Sequence, residues 1–408
     1  MPSELKLLII SFYFPPYNKV GGRRWAKHFK YLIKENLDAF VIAGNYMSPS
    51  PWDKDIFGLE DRIFRVEHAV NIKPFHLTDL PNNFSEKIKW KYSYYKWELL
   101  KKKLDGNYND PALNNIQNYL NTAIEVIREK KINAVILSVG PFKYANILIS
   151  LKAQFPNIKF VLDYRDYWED SLIGLTERQV KVELENQQRV INCVDLILSP
   201  NQEMQNYYAK KFNKPSYLLP HCIDEDDLKI KSLPQKKNGF NLIYGGAFYH
   251  SIHNNISLIK SFLDLLANQR PVEADFYVSV KGYEKELQHP NIKRYDFIDA
   301  NAYFEKVIAA DYVILILPPN RVNAMSSKFF EIVAFRKPIL YFGNEGEVSN
   351  FILKNKLGFH ITSRNMHEQV ALCIDNLANP LIPDLSYNIS EHTFNNHTKK
   401  LIDQLTLL

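Results

Sequence analysis

Leu7-Leu8-Ile9-Ile10-Ser11-Phe12 is followed by a turn-forming stretch with Pro15, Pro16, Gly21 and Gly22, and then by Trp25, Phe29 and Leu32 at i, i+4, i+7. Ala39-Phe40-Val41-Ile42-Ala43 closes the stretch. The first run is continuously apolar, as in a strand covered on both faces. The spaced residues predict a helix from about Arg23, and the second run a further buried strand. Strand, helix and strand in this order make a βαβ unit and imply a parallel sheet.

The alternation continues outward. Strands are predicted at Ala134–Ser138, Lys159–Asp163, Leu196–Ser199 and Tyr217–Leu219, with helices around Lys143–Lys152 and Glu177–Ile191. A polar stretch from Ser232 to Gly239 reads as a linker. The pattern then restarts: Asn241-Leu242-Ile243-Tyr244 runs into Gly245-Gly246, and Ile256–Leu266 is helical. Strands at Ala274–Val280, Tyr312–Leu317 and Pro338–Phe342, and helices at Ala302–Ala309 and Lys328–Phe335, complete it. A chain of 408 residues exceeds one core, which agrees with two units. The expectation is α/β: two Rossmann-like doubly wound domains facing across a cleft, 1–220 and 221–390. Residues 391–408 form a C-terminal helix that can cross back to the first domain.

Net charge is +6. This mild excess speaks against nucleic acid and suits anionic small molecules or lipid headgroups. Cys193, Cys222 and Cys373 are widely spaced, without metal-ligand spacing, and read as reduced thiols. No signal-peptide layout precedes the first strand and no apolar run reaches membrane-spanning length, so the expected location is the cytoplasm, at the inner face of the membrane if the chain touches lipid.

Three segments carry chemistry. Gly21-Gly22 lies between strand and helix, where glycine lets backbone approach a ligand and the helix N-terminus offers amides to an anion; a plain tight turn is the alternative. Asp163-Tyr164-Arg165-Asp166-Tyr167-Trp168 follows a buried strand. Charges there are costly to bury for stability alone, so a cleft-lining role is favoured over a structural ion pair. Ser326-Ser327-Lys328-Phe329-Phe330-Glu331 opens a helix with a serine N-cap. A lysine opposes the helix dipole at that end, and a bound anion would account for it. Glu331, one turn in, can accept two hydrogen bonds from a ribose.

These segments, in order, resemble the retaining glycosyltransferases of family 4, which have the GT-B architecture. Ile10–Pro16 with Gly21-Gly22-Arg23-Arg24 resembles that family's opening, and Asp163–Trp168 its D-F-R-D-x-W segment. Leu218–Asp224 resembles the crossing into the second domain. Ser327-Lys328-x-x-Glu331 with Arg336-Lys337-Pro338-Ile339 resembles the nucleotide-binding helix. The resemblance implies that Glu331 is the second glutamate of E-x7-E, which holds the ribose; Asn323 stands where the first belongs. After Gly245-Gly246 the sequence has Ala247-Phe248-Tyr249-His250, not the usual Arg and Lys.

The resulting expectation is transfer of a sugar from a nucleotide-diphosphate sugar to a glycan or lipid-linked glycan, retaining, with no metal and no cofactor. Lys328, Asp166 and Arg165 are the catalytic candidates. Glu331, Ser326, Ser327, Asn323, Gly245, Gly246, His250, Gly21, Gly22 and Arg23 are the nucleotide-sugar-binding candidates. Asp224-Glu225-Asp226 matches D-x-D but lies in the crossover and is set aside as a metal site. A catalytically degenerate GT-B binding protein is the alternative, and a nucleotide-sugar 2-epimerase is disfavoured by the ordered segments. In Glu86–Leu104, lysines interleave with Trp90, Tyr92, Tyr94, Tyr95 and Trp97. As a helix it places Trp90, Tyr94, Trp97 and Leu104 on one face. This pattern suits either packing on its own domain or peripheral contact with an anionic membrane.

Overall fold

The computed structural model describes residues 5–17, 20–46, 49–68, 83–101, 106–108, 110–228, 240–246, 253–278, 285–298, 300–319, 323 and 325–408. The chain divides into two compact units, residues 1–219 with 398–408, and residues 220–397. The linker expected at 232–239 lies outside the described residues.

In the first unit the strands are β1 (Lys6–Ser11), β2 (Asp38–Gly44), β3 (Ile63–Val66), β4 (Ala134–Val139), β5 (Lys159–Tyr164), β6 (Leu196–Ser199) and β7 (Ser216–Leu218). The helices are α1 (Arg23–Lys34), α2 (Phe84–Lys101), α3 (Ile116–Lys130), α4 (Ile147–Gln154), α5 (Glu177–Asn192) and α6 (Gln202–Phe212). The sheet is parallel with order β3-β2-β1-β4-β5-β6-β7. Leu7 of β1 pairs with Ala39 on one side and Ala134 on the other. Leu8 and Ile10 join one face's core, and Leu7 and Ile9 the other. A continuous apolar run is therefore what this position requires. Capping is local and legible: Thr176 Oγ1 accepts from the Gln179 amide at 3.4 Å while Gln179 Oε1 accepts from the Thr176 amide at 3.1 Å, which starts α5.

The second unit has β8 (Phe240–Gly246), β9 (Val272–Val278), β10 (Ile292–Tyr295), β11 (Tyr312–Ile316), β12 (Ile339–Phe342) and β13 (Gly358–Ile361). Their order is β10-β9-β8-β11-β12-β13, again parallel. Its helices are α7 (His253–Ala267), α8 (Ala300–Ala309), α9 (Ser327–Ala334), α10 (Glu347–Lys354) and α11 (Met366–Ala378). The last helix, α12 (Phe394–Thr406), enters the first unit from Thr398 on. There His28 Nδ1 and Thr398 Oγ1 are 2.9 Å apart, and Leu401 and Leu405 join the core of Leu7, Ile9 and Phe29.

In each sheet the strand order reverses beside the first strand, between β1 and β4 and between β8 and β11. Doubly wound sheets bind ligands outside the carboxyl ends of the strands at such reversal points. Gly21-Gly22 follows β1, and Gly245-Gly246 ends β8.

Candidate functional site

The second unit builds its site on β8. Gly246 has φ +154°, and a methyl group there would stand 2.8 Å from Lys328 Nζ and 3.3 Å from the Tyr244 hydroxyl. A methyl on Gly245 would overlap the Tyr303 ring and stand 2.8 Å from its hydroxyl. The two glycines thus leave room for an ammonium and a phenol brought in by α9 and α8. The Lys328 ammonium also lies 4.3 Å from the centroid of the Tyr244 ring. Burial lowers the Lys328 pKa to about 8, and the nearby Glu331 carboxylate opposes the shift. Lys328 is nonetheless only half-buried as a residue. The charge of Lys328 is thus closely surrounded while the residue keeps some exposure.

Ser326 caps α9: its hydroxyl accepts from the Phe329 amide at 3.3 Å. Ser326, Ser327 and Glu331 are half-buried. The Tyr303 hydroxyl is buried without a hydrogen-bond partner among the described residues. Its pKa is raised, by burial first and then by Tyr244, Glu331 and Tyr277, so it stays a neutral donor. Asn323 is used differently: its carboxamide oxygen accepts from the Glu347 amide at 2.7 Å, at the start of α10. The position resembling the first motif glutamate therefore anchors a neighbouring helix. His250 lies outside the described residues. Lys328, Glu331, Gly245 and Gly246 come together. Tyr244 and Tyr303 complete the group, and sequence reasoning missed both.

In the first unit Asp163 corrects an expectation. It is fully buried, not cleft-lining. It accepts from Arg24 Nη2 at 2.9 Å and Nε at 3.3 Å, from Trp25 Nε1 at 2.8 Å and from Ser138 Oγ at 2.9 Å. Four donors to one carboxylate satisfy it, which is the condition for a buried ion pair to be tolerated. Trp168 is likewise buried, against Phe142. Arg165 and Asp166 separate. Asp166 is exposed. The Arg165 guanidinium donates to Gly21 O at 2.7 Å and Gly140 O at 3.0 Å, tying the loop after β1 to the loop after β4. Gly22 caps α1, and a methyl on it would stand 2.9 Å from Tyr17 O. Arg23 is buried.

Around these loops lies an aromatic belt at the carboxyl ends of β1, β2 and β3. Phe12 stacks on His68 at 4.6 Å, Tyr13 on Tyr17 at 4.5 Å, and Tyr17 meets Tyr46 at 4.9 Å. Arg165 lies over the Tyr13 ring at 5.7 Å. Burial, then Tyr17, pushes the Tyr13 phenol up to about 12, and burial keeps His68 below its ordinary value, hence neutral. Asp110 accepts amides from Phe142 and Lys143 at 2.8 and 2.9 Å, and burial raises its pKa. Half-buried rings with polar edges can hold a flat or hydroxylated ligand. In the sequence this belt shows as the density of aromatics at 12–17, namely Phe12, Tyr13, Phe14 and Tyr17.

No group of three or more metal-ligating side chains occurs among the described residues. Asp224, of the D-x-D match, is buried and accepts the Asp226 amide at 3.0 Å, forming a turn.

No protein-family model and no curated protein matches the chain. Solved structures do. A glycosyltransferase from Rickettsia africae ESF-5 aligns at 12% identity over 99% of this chain and 98% of its own, with a TM-score of 0.62. The E. coli trehalose-6-phosphate structure bound with UDP-2-fluoro glucose aligns at 11% over 99% of both chains, TM-score 0.59. UDP-GlcNAc 2-epimerase from Neisseria meningitidis, bound to UDP-GlcNAc, aligns at 12% over 99% of this chain and 100% of its own, TM-score 0.56. At such identities the likeness is one of fold, and together with the two parallel sheets it establishes that this chain has the two-domain, Rossmann-like GT-B fold.

Proposed function

We propose that the chain is a metal-independent, retaining glycosyltransferase that moves a sugar from a nucleoside-diphosphate sugar to a glycan or lipid-linked glycan. One observation carries the reading: the Lys328 ammonium, beside Gly246 at the end of β8 and in the first turn of α9. That is an anion site made of a cation, glycine backbone and helix amides. Solved structures of the same fold bound with UDP-2-fluoro glucose and UDP-GlcNAc support a nucleotide sugar as the anion.

In the proposed reaction the acceptor oxygen bonds to the anomeric carbon as its bond to the phosphate oxygen breaks. The electron pair leaves with the diphosphate, and the acceptor proton goes to the departing phosphate on the same face. Lys328 and the amides at Ser326 and Ser327 stabilise that growing charge. Glu331 holds the ribose. The Tyr303 hydroxyl donates to the nucleotide. In the first unit, Arg165 positions the Gly21-Gly22-Arg23 loop, and the loop, Asp166 and the Tyr13 and Tyr17 rings serve the acceptor.

A thermal-shift series with UDP, GDP, ADP and CMP tests the donor site. A nucleotide at 100 times its dissociation constant adds about 2.7 kcal/mol. No stabilisation by any diphosphate would sink the reading. Turnover is expected to persist in EDTA. Because a 2-epimerase shares the fold, the donor is also incubated alone: a change of configuration at C2 without acceptor selects that reading, and diphosphate binding with no turnover selects a degenerate binding protein.

A further inference from the structure

Helix α2 carries two apolar faces. Trp90 and Tyr94 stack at 5.4 Å and are half-buried. On the opposite side Phe84, Ile88, Tyr92, Tyr95 and Leu99 are each between 55% and 80% exposed. At roughly 100° per residue these five fall within about 80° of one another, one continuous stripe along the helix. Lys87 and Lys91 border the stripe on one side, Lys89 and Lys96 on the other, and all four are exposed. Phe84–Lys101 holds five lysines and two glutamates, a net +3.

We propose that this outer face of α2 docks on an anionic phospholipid surface, with the stripe in the headgroup boundary and the lysines reaching to phosphates. Charge complementarity selects the occupant. A helix pairing with a second copy of itself would set the four lysines that flank this stripe against the same four of its partner. Lysines on both flanks of an apolar stripe, with tyrosines among the apolar residues, instead match a layer that is apolar within and negative at its surface. The helix's low overall hydrophobicity and its length suit lying in the interface, and no helix among the described residues is long and apolar enough to cross a membrane. The inference stands apart from the donor reading, since it uses none of the residues on β8, α8 or α9. The two meet in one respect: the chain returns from α2 to Asp110, which holds the loop after β4 at the carboxyl edge of the first sheet.

The test is flotation of the full chain with vesicles of phosphatidylcholine alone and of phosphatidylcholine and phosphatidylglycerol in equal parts. Binding to the second, weakened by salt and near absent from the first, is expected. Ile88→Glu with Leu99→Glu should lower partitioning at least about a hundredfold, since each buried methylene is worth about fourfold. Lys89→Gln with Lys96→Gln should lower it by about fivefold per lysine. Both double variants should keep the parent's thermal midpoint and any nucleotide-induced shift, because the changed side chains are exposed. Failure to float with anionic vesicles, equal binding to both vesicle types, or partitioning unchanged in the Ile88/Leu99 variant overturns the proposal. So does a parent dimer in sedimentation that these substitutions split and that floats with neither vesicle.

Discussion

Lys328 is costly to the empty protein. Its pKa of about 8 lies below the ordinary lysine value of 10.5 because burial disfavours the ammonium. Between those two pH values the unfolded chain binds more protons than the native one, so stability from this group rises with pH across the window. The penalty is complete below about pH 8. Lys328→Met should therefore stabilise the ligand-free protein at pH 7 by about 1–3 kcal/mol, an advantage that fades above pH 10. Denaturant titrations of both proteins at pH 7 and pH 10 measure it; a less stable mutant at pH 7 would refute it. A diphosphate should restore the charge. At pH 8 the free lysine is about half protonated, so binding of a nucleotide sugar, whose esterified diphosphate carries no proton in this range, should take up roughly half a proton, and almost none at pH 6. Calorimetry in buffers of differing ionisation enthalpy reads this directly. Glu331→Ala should weaken diphosphate binding by about ten- to a hundredfold, the worth of one charge-assisted hydrogen bond. Unchanged affinity in a folded mutant removes the ribose role.

At the scale of elements, the site depends on how closely α8 and α9 approach the end of β8. Gly245→Ala drives a methyl into the Tyr303 ring and should cost about 1–3 kcal/mol. Tyr303→Ala alone should cost about 3–5 kcal/mol through the space it empties. Because the two changes relieve each other, the double mutant should fall short of their sum by about 0.5–3 kcal/mol, whereas additivity would show that the ring moves aside freely. The same contrast separates what could be read in the sequence from what could not. The cap at Ser326, the helix carrying Lys328 and Glu331, and the buried β1 follow from local rules over a few residues, and they stand where those rules put them. Asp163 was misjudged because its partner Arg24 lies 139 residues away. Tyr303 and Tyr244 were invisible for the same reason, since they meet only when α8 packs beside β8. The strands β3, β10 and β13 are short and lacked a distinguishing run. The outer stripe of α2 was masked by its inner one: Trp90 and Tyr94 define a face so strongly that the spacing of Phe84, Ile88, Tyr92, Tyr95 and Leu99 goes unnoticed.

For the molecule as a whole, the first unit is not one stretch of chain. Residues 398–408 belong to it, and Leu401 and Leu405 are buried with Leu7, Ile9, Trp25 and Phe29. Removing 398–408 should cost this unit about 3–6 kcal/mol at roughly 1.5–3 kcal/mol per buried leucine. For a unit of this size that lowers its unfolding midpoint by on the order of 10 °C. Calorimetry of the truncated protein checks it, and an unchanged midpoint would mean that the helix end is dispensable. A biosynthetic consequence follows. Ribosomes release a chain from its N-terminus at about 5–20 residues per second, so roughly 10–40 s separate Leu219 from Leu405. Throughout that interval the apolar patch around Leu7 and Phe29 waits without its cover, open to contact with neighbouring nascent chains on the polysome.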